Sequence, residues 1–175
     1  MKKTINLFVD MDGTIAKFYY KKNCLEKMYE QGYFAKLPFY SMAMRLNDFA
    51  KKDTCVNVYI LSACIDSPYC EQEKVEWLLK YMSNICPTHF IFTKVGESKV
   101  LKAKSVVENF NESINILLDD YTYNLEIWQE HSPLCMGIKF LNGINDTTKA
   151  WQGERVKTFG QLETILQKLA MYGKE

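Results

Sequence analysis

The sequence lacks a long apolar run. No stretch approaches the roughly 20 consecutive apolar residues that a membrane-spanning helix needs. The run that follows Met1 is interrupted by Asn6 and by the carboxylates of Asp10 and Asp12, so it does not resemble the apolar region of a signal peptide. We therefore expect no membrane contact and a cytoplasmic location.

Net charge of either sign is also nearly absent. The chain has 22 Lys+Arg against 21 Asp+Glu, which gives a formal net charge of +1. Without an overall positive field, neither nucleic acid nor an anionic membrane is a favoured partner. We expect a small-molecule partner, while the sequence leaves open whether the chain is a monomer or a homodimer.

The six cysteines include no Cys-x-x-Cys pair. In a chain without secretory features they are expected to be reduced thiols. Two pairs of residues could each offer two zinc ligands, namely Cys86 with His89 and His131 with Cys135. A structural zinc site needs four ligands. Ordinary buried or half-buried side chains are expected at these positions.

Internal repeats and long linkers are absent, and 175 residues are enough for one core but too few for two full domains. Apolar runs typical of strands cover residues 4–10, 56–62, 90–92, 114–119 and, more weakly, 136–141. Four helical patterns are present. One follows Ser67-Pro68, two cover about 99–108 and 123–131, and the last follows a capping box at Thr158. This alternation predicts an α/β fold with a Rossmann-like parallel sheet covered on both faces.

Two segments depart from the simple alternation. Residues 18–52 hold two helical patterns, although a crossover between parallel strands needs only about a dozen residues. The excess predicts a small helical cap at 18–52, inserted into a core of residues 1–17 and 53–175. The stretch 137–146 is rich in Gly and Asn and is predicted to be a loop near the edge of the sheet.

The first strand ends in two carboxylates. Alternation along a strand predicts that Asp10 and Asp12 share one side of the C-terminal edge of the sheet, where open α/β folds bind ligands. Two such charges in a small volume are costly unless a cation or a shared proton compensates them. Gly13 permits a tight turn and Thr14 adds a hydroxyl. The pattern indicates a site for a hard divalent cation such as Mg²⁺.

Later strand ends add the other groups that phosphoryl transfer requires. Ser62, followed by Ala63, brings a hydroxyl to the end of the second strand, and Asp119 and Asp120 end the fourth. Four lysines, at positions 94, 99, 102 and 104, lie between the third and fourth strands. We select Lys99, because the preceding loop places it at a helix start from which its ammonium can point toward the strand ends.

The segment Asp10-Met11-Asp12-Gly13-Thr14 after an apolar strand resembles the first motif of the haloacid dehalogenase superfamily of phosphatases. Ser62, Lys99 and Asp119-Asp120 match its later motifs. Residues 8–14, 69–77 and 117–121 with Asn124 are similar to the cytosolic 5′(3′)-deoxyribonucleotidase branch, which includes small bacterial and phage-type members. Receiver domains of response regulators fit less well, because their acidic pair and their phosphoacceptor lie on different strands.

The resemblance implies Mg²⁺-dependent removal of phosphate from nucleoside monophosphates. Asp10 would be the nucleophile and Asp12 the general acid and base. The phosphoryl oxygens would be bound by Ser62, Ala63 and Lys99. Mg²⁺ would be held by Asp10, by the backbone carbonyl of Asp12 and by a carboxylate of Asp119 or Asp120.

Base recognition in this branch involves aromatic residues of the cap, and Phe18, Phe34, Phe39 and Tyr40 are available here. Stacking a base on an aromatic face contributes about 1–3 kcal/mol, although such residues also fill the core of a cap. The aromatic-rich segment favours a nucleotide over the nearest alternative, a sugar phosphate or another small phosphomonoester. The second alternative is a phosphate- or nucleotide-binding regulator without turnover, which would not need both Asp10 and Asp12.

Overall fold

Six parallel strands form one sheet in the order β3-β2-β1-β4-β5-β6 within the part of the chain that is described. The computed structural model describes residues 3–18, 24–52, 55–147 and 150–172, except for the side chains of Cys24 and Tyr172. The strands are β1 Ile5–Val9, β2 Val56–Cys64, β3 Phe90–Lys94, β4 Ile114–Asp119, β5 Cys135–Phe140 and β6 Glu154–Val156. The predicted α/β fold class with a parallel, Rossmann-like sheet is confirmed.

The helices lie between the strands in sequence, apart from the last, which follows β6. They are α1 Cys24–Lys27, α2 Ser41–Ala50, α3 Cys70–Tyr81, α4 Lys99–Val106, α5 Thr122–His131 and α6 Phe159–Tyr172, with 3₁₀ turns at Phe34–Lys36 and Pro87–His89. None of these helices is long and apolar enough to cross a bilayer. The capping box of α6 is present. The Thr158 hydroxyl accepts from the backbone N–H of Gln161, and the Gln161 side-chain oxygen accepts from the backbone N–H of Thr158.

Two apolar clusters cover the two faces of the sheet. Ile5, Leu7 and Val9 of β1 belong to the cluster that includes the buried side chains of α2, α3 and α6. Phe8 points to the other face, where it joins the buried residues of α4 and α5. Since β1 is buried on both faces, its sequence is apolar at every position except Asn6 and does not alternate.

Three details differ from the sequence-based expectations. Residues 136–141 were predicted as a weak strand and 137–146 as a loop. The strand is confirmed, because residues 137–140 lie in β5, and the loop prediction is wrong for them. A Cβ on Gly137 would come within 2.9 Å of the Trp151 ring. This glycine therefore serves close packing rather than a turn. The three-residue strand β6 was not predicted, and α3 begins at Cys70, two residues after Pro68.

The segment 18–52 has two parts in the structure. Within it, α2 packs with α6, as the ring contact of Phe49 with Phe159 shows, so this helix covers the sheet. The stretch before α2 pairs with the chain that follows β1, through a bridge between Ala16 and Phe39. The cap boundaries stay a prediction, and residues 19–23 lie outside the described part.

Three asparagines cross the middle of the sheet at one level. Asn6 of β1 lies in register with Asn57 of β2 and Asn115 of β4, and its side chain bonds both of theirs at 3.1 Å. It also donates to Asn109 at 3.1 Å. Because buried polar groups are costly when unpaired, this row favours one register of the three strands.

We expect Asn6→Leu to lower the free energy of unfolding by about 2–4 kcal/mol, because it leaves the partner amides without their hydrogen bonds. Urea unfolding followed by circular dichroism measures the loss. The exposed Asn111 offers a matched control, since Asn111→Leu removes no described hydrogen bond. Equal effects of the two substitutions would show that the asparagine row contributes nothing specific.

Candidate functional site

The site lies at the C-terminal edge of the three central strands. β1 has β2 on one side and β4 on the other, so the chain reverses its direction of winding at β1. Ligands of open α/β sheets bind at such a switch point. Asp10 follows β1 directly, and its backbone N–H donates to Leu118 of β4 at 2.9 Å. The strand pairing thus brings Asp10 next to Asp119, the last residue of β4.

A tight turn carries Asp12. The backbone N–H groups of Ile15 and Ala16 both donate to the Met11 carbonyl, at 3.0 and 2.8 Å, while Met11 itself is fully buried. Gly13 has a φ of +83°, and a Cβ at this position would lie 2.5 Å from Oδ2 of Asp120. Gly13 is therefore required both for the turn and for the close approach of Asp120.

Lys99 lies between two of the predicted carboxylates. Its Nζ is 2.5 Å from Oδ1 of Asp10 and 2.7 Å from Oδ2 of Asp119, and the side chain is 6% exposed. It is the first residue of α4, whose N-terminus is capped by the Ser98 hydroxyl. Of the four lysines considered in the sequence, this one is brought into the cluster; Lys94 and Lys102 line a separate cleft.

A second buried lysine, Lys74 of α3, was not identified from the sequence as a site residue. Its Nζ donates to Oδ2 of Asp12 at 2.5 Å, to the Ser62 hydroxyl at 3.0 Å and to the Ala63 carbonyl at 2.6 Å. The available signal was its helical spacing, because Lys74 shares the buried face of α3 with Cys70, Trp77 and Leu78. A lysine on a buried helix face needs an oppositely charged or hydrogen-bonding partner.

Asp120 is held by the loop that follows β5. Its Oδ2 accepts from Nδ2 of Asn142 at 2.8 Å and from Nδ2 of Asn145 at 2.5 Å. No role for this loop was predicted from the sequence. Asp119 is held differently, because its Oδ1 accepts from the Tyr121 backbone N–H and its Oδ2 accepts from Asn124 as well as from Lys99.

The cluster carries more negative than positive charge. Carboxylate oxygens of Asp10, Asp119 and Asp120 lie within 4.8 Å of one another, and two lysines face these three aspartates and Asp12. Burial, against the opposing effect of Lys99, raises the pKa of Asp10 to about 8. Burial and the neighbouring Asp119 raise the pKa of Asp120 to about 7. The excess of buried carboxylates fits a hard divalent cation.

Both lysines are held in their charged form. Burial lowers the pKa of Lys99, but Asp10 and Asp119 outweigh this effect and raise it overall. For Lys74, burial also lowers the pKa, but Asp12 together with Cys70 and Cys64 outweighs it and the pKa is raised. Oδ1 of Asp12 is buried and has no hydrogen-bond partner within the described part of the chain. This atom is available to a ligand or a proton.

The four aromatic side chains proposed for base contacts do not form one surface. Phe34 is only 1% exposed, and its ring lies against Lys74, with Nζ 4.8 Å from the ring centroid. Its face is thus occupied, which corrects the expectation that it stacks on a base. Phe39 is 38% exposed and contacts Tyr81, Tyr40 packs edge-on against Phe140, and Phe18 is half-buried.

Comparison with known sequences gives a partial match. No protein-family model matches the chain. Two proteins from Staphylococcus aureus strains MSSA476 and MW2, each named "Putative 5'(3')-deoxyribonucleotidase", are 29% identical to it over 91 residues. The match covers 52% of this chain and 48% of each relative, so the chain spans about half the length of the curated relatives it matches.

Solved structures match nearly the whole chain. A "putative haloacid dehalogenase-like hydrolase" from Burkholderia xenovorans LB400 has a TM-score of 0.62 at 12% identity, covering 95% of this chain and 98% of that one. A "phosphoserine phosphohydrolase-like protein" from Francisella tularensis SCHU S4 has a TM-score of 0.60 at 11% identity, covering 93% and 100%. DsGPDH of Dunaliella salina has a TM-score of 0.56 at 14% identity. This match covers 90% of this chain and 28% of the DsGPDH chain.

These likenesses show the fold. The fold is that of haloacid dehalogenase-like hydrolases, and part of the sequence is similar to 5′(3′)-deoxyribonucleotidases. The resemblance recognised in the sequence is thereby confirmed.

We expect Gly13→Ala to push Asp120 away from the cluster. The substitution combines the cost of a positive φ, about 1–2 kcal/mol, with a contact to Asp120 that a Cβ cannot satisfy. Thermal unfolding should show a larger loss of stability than for Gly96→Ala. Gly96 is the matched control because its φ is +90° and nothing lies within 4 Å of its Cβ position. Equal losses would mean that Asp120 moves aside freely.

We expect Asp10→Asn to stabilise the metal-free protein, and more so as the pH rises. The folded protein binds the Asp10 proton up to about pH 8, whereas the unfolded chain releases it near the ordinary value of 3.8. Between these values the wild type loses stability with rising pH, and the amide removes that loss.

Thermal unfolding in chelator should therefore show a gain of a few degrees at about pH 9 and little at about pH 4. Asp48→Asn, at an exposed ion pair with Lys51, is the control for general charge effects. A gain for Asp10→Asn that does not change with pH would contradict the raised pKa.

Proposed function

We propose that this chain is a Mg²⁺-dependent phosphomonoesterase that acts on nucleoside monophosphates and uses Asp10 as its nucleophile. One observation carries the proposal: Asp10 and Asp12 are two residues apart at the strand edge, yet each bonds a different buried lysine. The two carboxylates thus have different surroundings, as different roles in one reaction require. The similarity to proteins named as deoxyribonucleotidases supports a nucleotide as substrate.

The residues present fit Mg²⁺. Asp119 accepts hydrogen bonds on both of its oxygens, whereas the donors described for Asp120 reach Oδ2. We therefore assign Asp120, through Oδ1, as the direct ligand together with Asp10 and the backbone carbonyl of Asp12. Asp119 then serves to hold Lys99. A bound Mg²⁺ supplies the positive charge that offsets the phosphate and the carboxylates.

Asp10 starts the reaction. Its carboxylate oxygen forms a bond to phosphorus while the bond from phosphorus to the sugar oxygen breaks, which gives an aspartyl-phosphate. Asp12 donates its proton to the leaving sugar oxygen. Asp12 then accepts a proton from the water that attacks the aspartyl-phosphate, and this step releases inorganic phosphate and restores Asp10.

The lysines and Ser62 prepare these steps. Lys74 bonds Oδ2 of Asp12 and leaves Oδ1 for the proton transfer. Because the Ser62 hydroxyl accepts from Lys74, its own proton is free to point to a phosphoryl oxygen. Lys99 lies beside the nucleophile, where its ammonium opposes the negative charge that develops during transfer.

A second candidate substrate is a sugar phosphate or another small phosphomonoester. A cleft of about 750 Å³ opens at the ends of β2 and β3. Its lining includes Cys64, which directly follows Ser62 and Ala63 in the chain. Its charged lining residues are Asp66, Glu71, Lys94, Glu97 and Lys102. The rings of Tyr29 and Phe92 also line it. This polar lining favours a hydroxyl-rich leaving group as much as a base.

The test is phosphate release by the purified protein from a panel of ribo- and deoxyribonucleoside monophosphates and several sugar phosphates. We expect release from nucleotides with Mg²⁺ and none with chelator. Asp10→Asn should lower kcat by at least about 10⁴-fold, because it removes the nucleophile. Asp48→Asn, at an exposed position of α2 that is paired with Lys51, should retain wild-type activity.

Each outcome decides a different part of the proposal. Preference for sugar phosphates would overturn the nucleotide assignment and retain the chemistry. Near-wild-type turnover by Asp10→Asn would remove Asp10 as nucleophile. Absence of release from every substrate would overturn the enzymatic function.

A further inference from the structure

We infer that Asn142 and Asn145 are positioning residues for Asp120, so that the loop after β5 completes the metal site. The inference rests on the proposed function, because Asp120 has a metal to bind only in that case. The loop lies far from the first motif in sequence: Asn142 and its partner Gly13 are 129 positions apart.

The orientation of the Asn142 side chain is fixed at both ends. Its Oδ1 accepts from the backbone N–H groups of Ile144 and Asn145, at 2.8 and 3.1 Å. Its Nδ2 therefore points the other way, where it donates to Oδ2 of Asp120 at 2.8 Å and to the Gly13 carbonyl at 2.9 Å. A flipped amide would place Nδ2 against two donors and is excluded.

Both amides bond the same carboxylate oxygen. Asn145 donates to Oδ2 of Asp120 at 2.5 Å, alongside Asn142. Two donors on one oxygen restrict rotation of the carboxyl group and leave Oδ1 without a described donor. A carboxylate oxygen of Asp120 lies within 4.8 Å of oxygens of Asp10 and Asp119. Because the amides are neutral, they orient Asp120 without neutralising it, whereas Lys99 compensates part of the charge of Asp119. The remaining charge of Asp120 is left for a cation.

Asn142 also joins two separate parts of the cluster. The Gly13 carbonyl belongs to the turn that carries Asp12, and Asp120 belongs to the end of β4. A single amide group thus holds the turn and the carboxylate at a set distance. Partners that orient a metal ligand typically contribute a factor of about 10–100 in metal affinity.

The test is a calorimetric titration of the full chain with Mg²⁺ alone, repeated with Mn²⁺. We expect Asn142→Ala and Asn145→Ala each to weaken binding by about 10–100-fold. The matched control is Asp146→Ala, since Asp146 is half-buried and accepts from the Gly143 backbone N–H in the same loop without a described bond to Asp120. It should bind Mg²⁺ as the wild type does.

A kinetic measurement separates positioning from a general loss of structure. Raising Mg²⁺ should restore turnover of Asn142→Ala toward the wild-type value, with the KM for substrate unchanged. If Asn142→Ala fails to fold, Asn145→Ala carries the test, because it removes one amide and leaves the Asn142 bonds to Gly13 and Ile144 in place.

The outcomes distinguish the inference from the proposed function. If the wild type binds Mg²⁺ and both folded asparagine variants bind it with the same affinity, the inference is overturned and the proposed function stands. Equal weakening in Asp146→Ala would also overturn it, since loop stability would then explain the effect. A wild type that binds neither ion would overturn both.

Discussion

The concentration of negative charge at one edge of the sheet is the constraint on which the rest of the site depends. Parallel pairing of β1 with β4 brings Asp10, Asp119 and Asp120 into one small volume, and the turn after β1 adds Asp12. Such a cluster is unstable unless cations compensate it. The fold supplies Lys99 from α4 and Lys74 from α3, and these helices pack with opposite apolar clusters. Both layers of helices are thus needed to neutralise the same edge.

The position of Lys74 depends in turn on the segment before α2. Glu73, its neighbour on α3, accepts from the backbone N–H groups of Gly32 and Phe34, and Trp77 donates to the Leu37 carbonyl at 2.7 Å. These bonds fasten residues 32–37 to α3 and place the Phe34 ring beside the ammonium of Lys74. The segment thereby excludes water from one side of Lys74, which strengthens its ion pair with Asp12. The contact of Phe34 within the site is therefore with a lysine of the charged cluster.

The sequence could predict the sheet and most of the charged cluster because each depends on local pattern. Strands that are buried on both faces appear as apolar runs, and polar residues at their ends, such as Asp10 and Ser62, point to the edge where ligands bind. Lys74 was missed because periodicity does not reveal what a buried helix face packs against. Asn142 was missed because its bond to Gly13 spans 129 positions. Gly137 was misjudged because its reason, the Trp151 ring, is a tertiary contact.

With Phe34 buried, the proposed function would assign discrimination between leaving groups to the cleft at the ends of β2 and β3. Three carboxylates and two ammonium groups line it, namely Asp66, Glu71, Glu97, Lys94 and Lys102. This slight negative excess gives no attraction to a second phosphate, so the lining suits a neutral, hydrogen-bonding group attached to a single phosphate. A nucleoside and a sugar both meet that description, and the ring of Tyr29 at the rim is the group that would distinguish a base from a sugar by stacking. Under the proposed function, substrate choice would therefore rest on a few side chains that line this cleft, whereas the phosphoryl chemistry would rest on the buried lysines and carboxylates of the cluster.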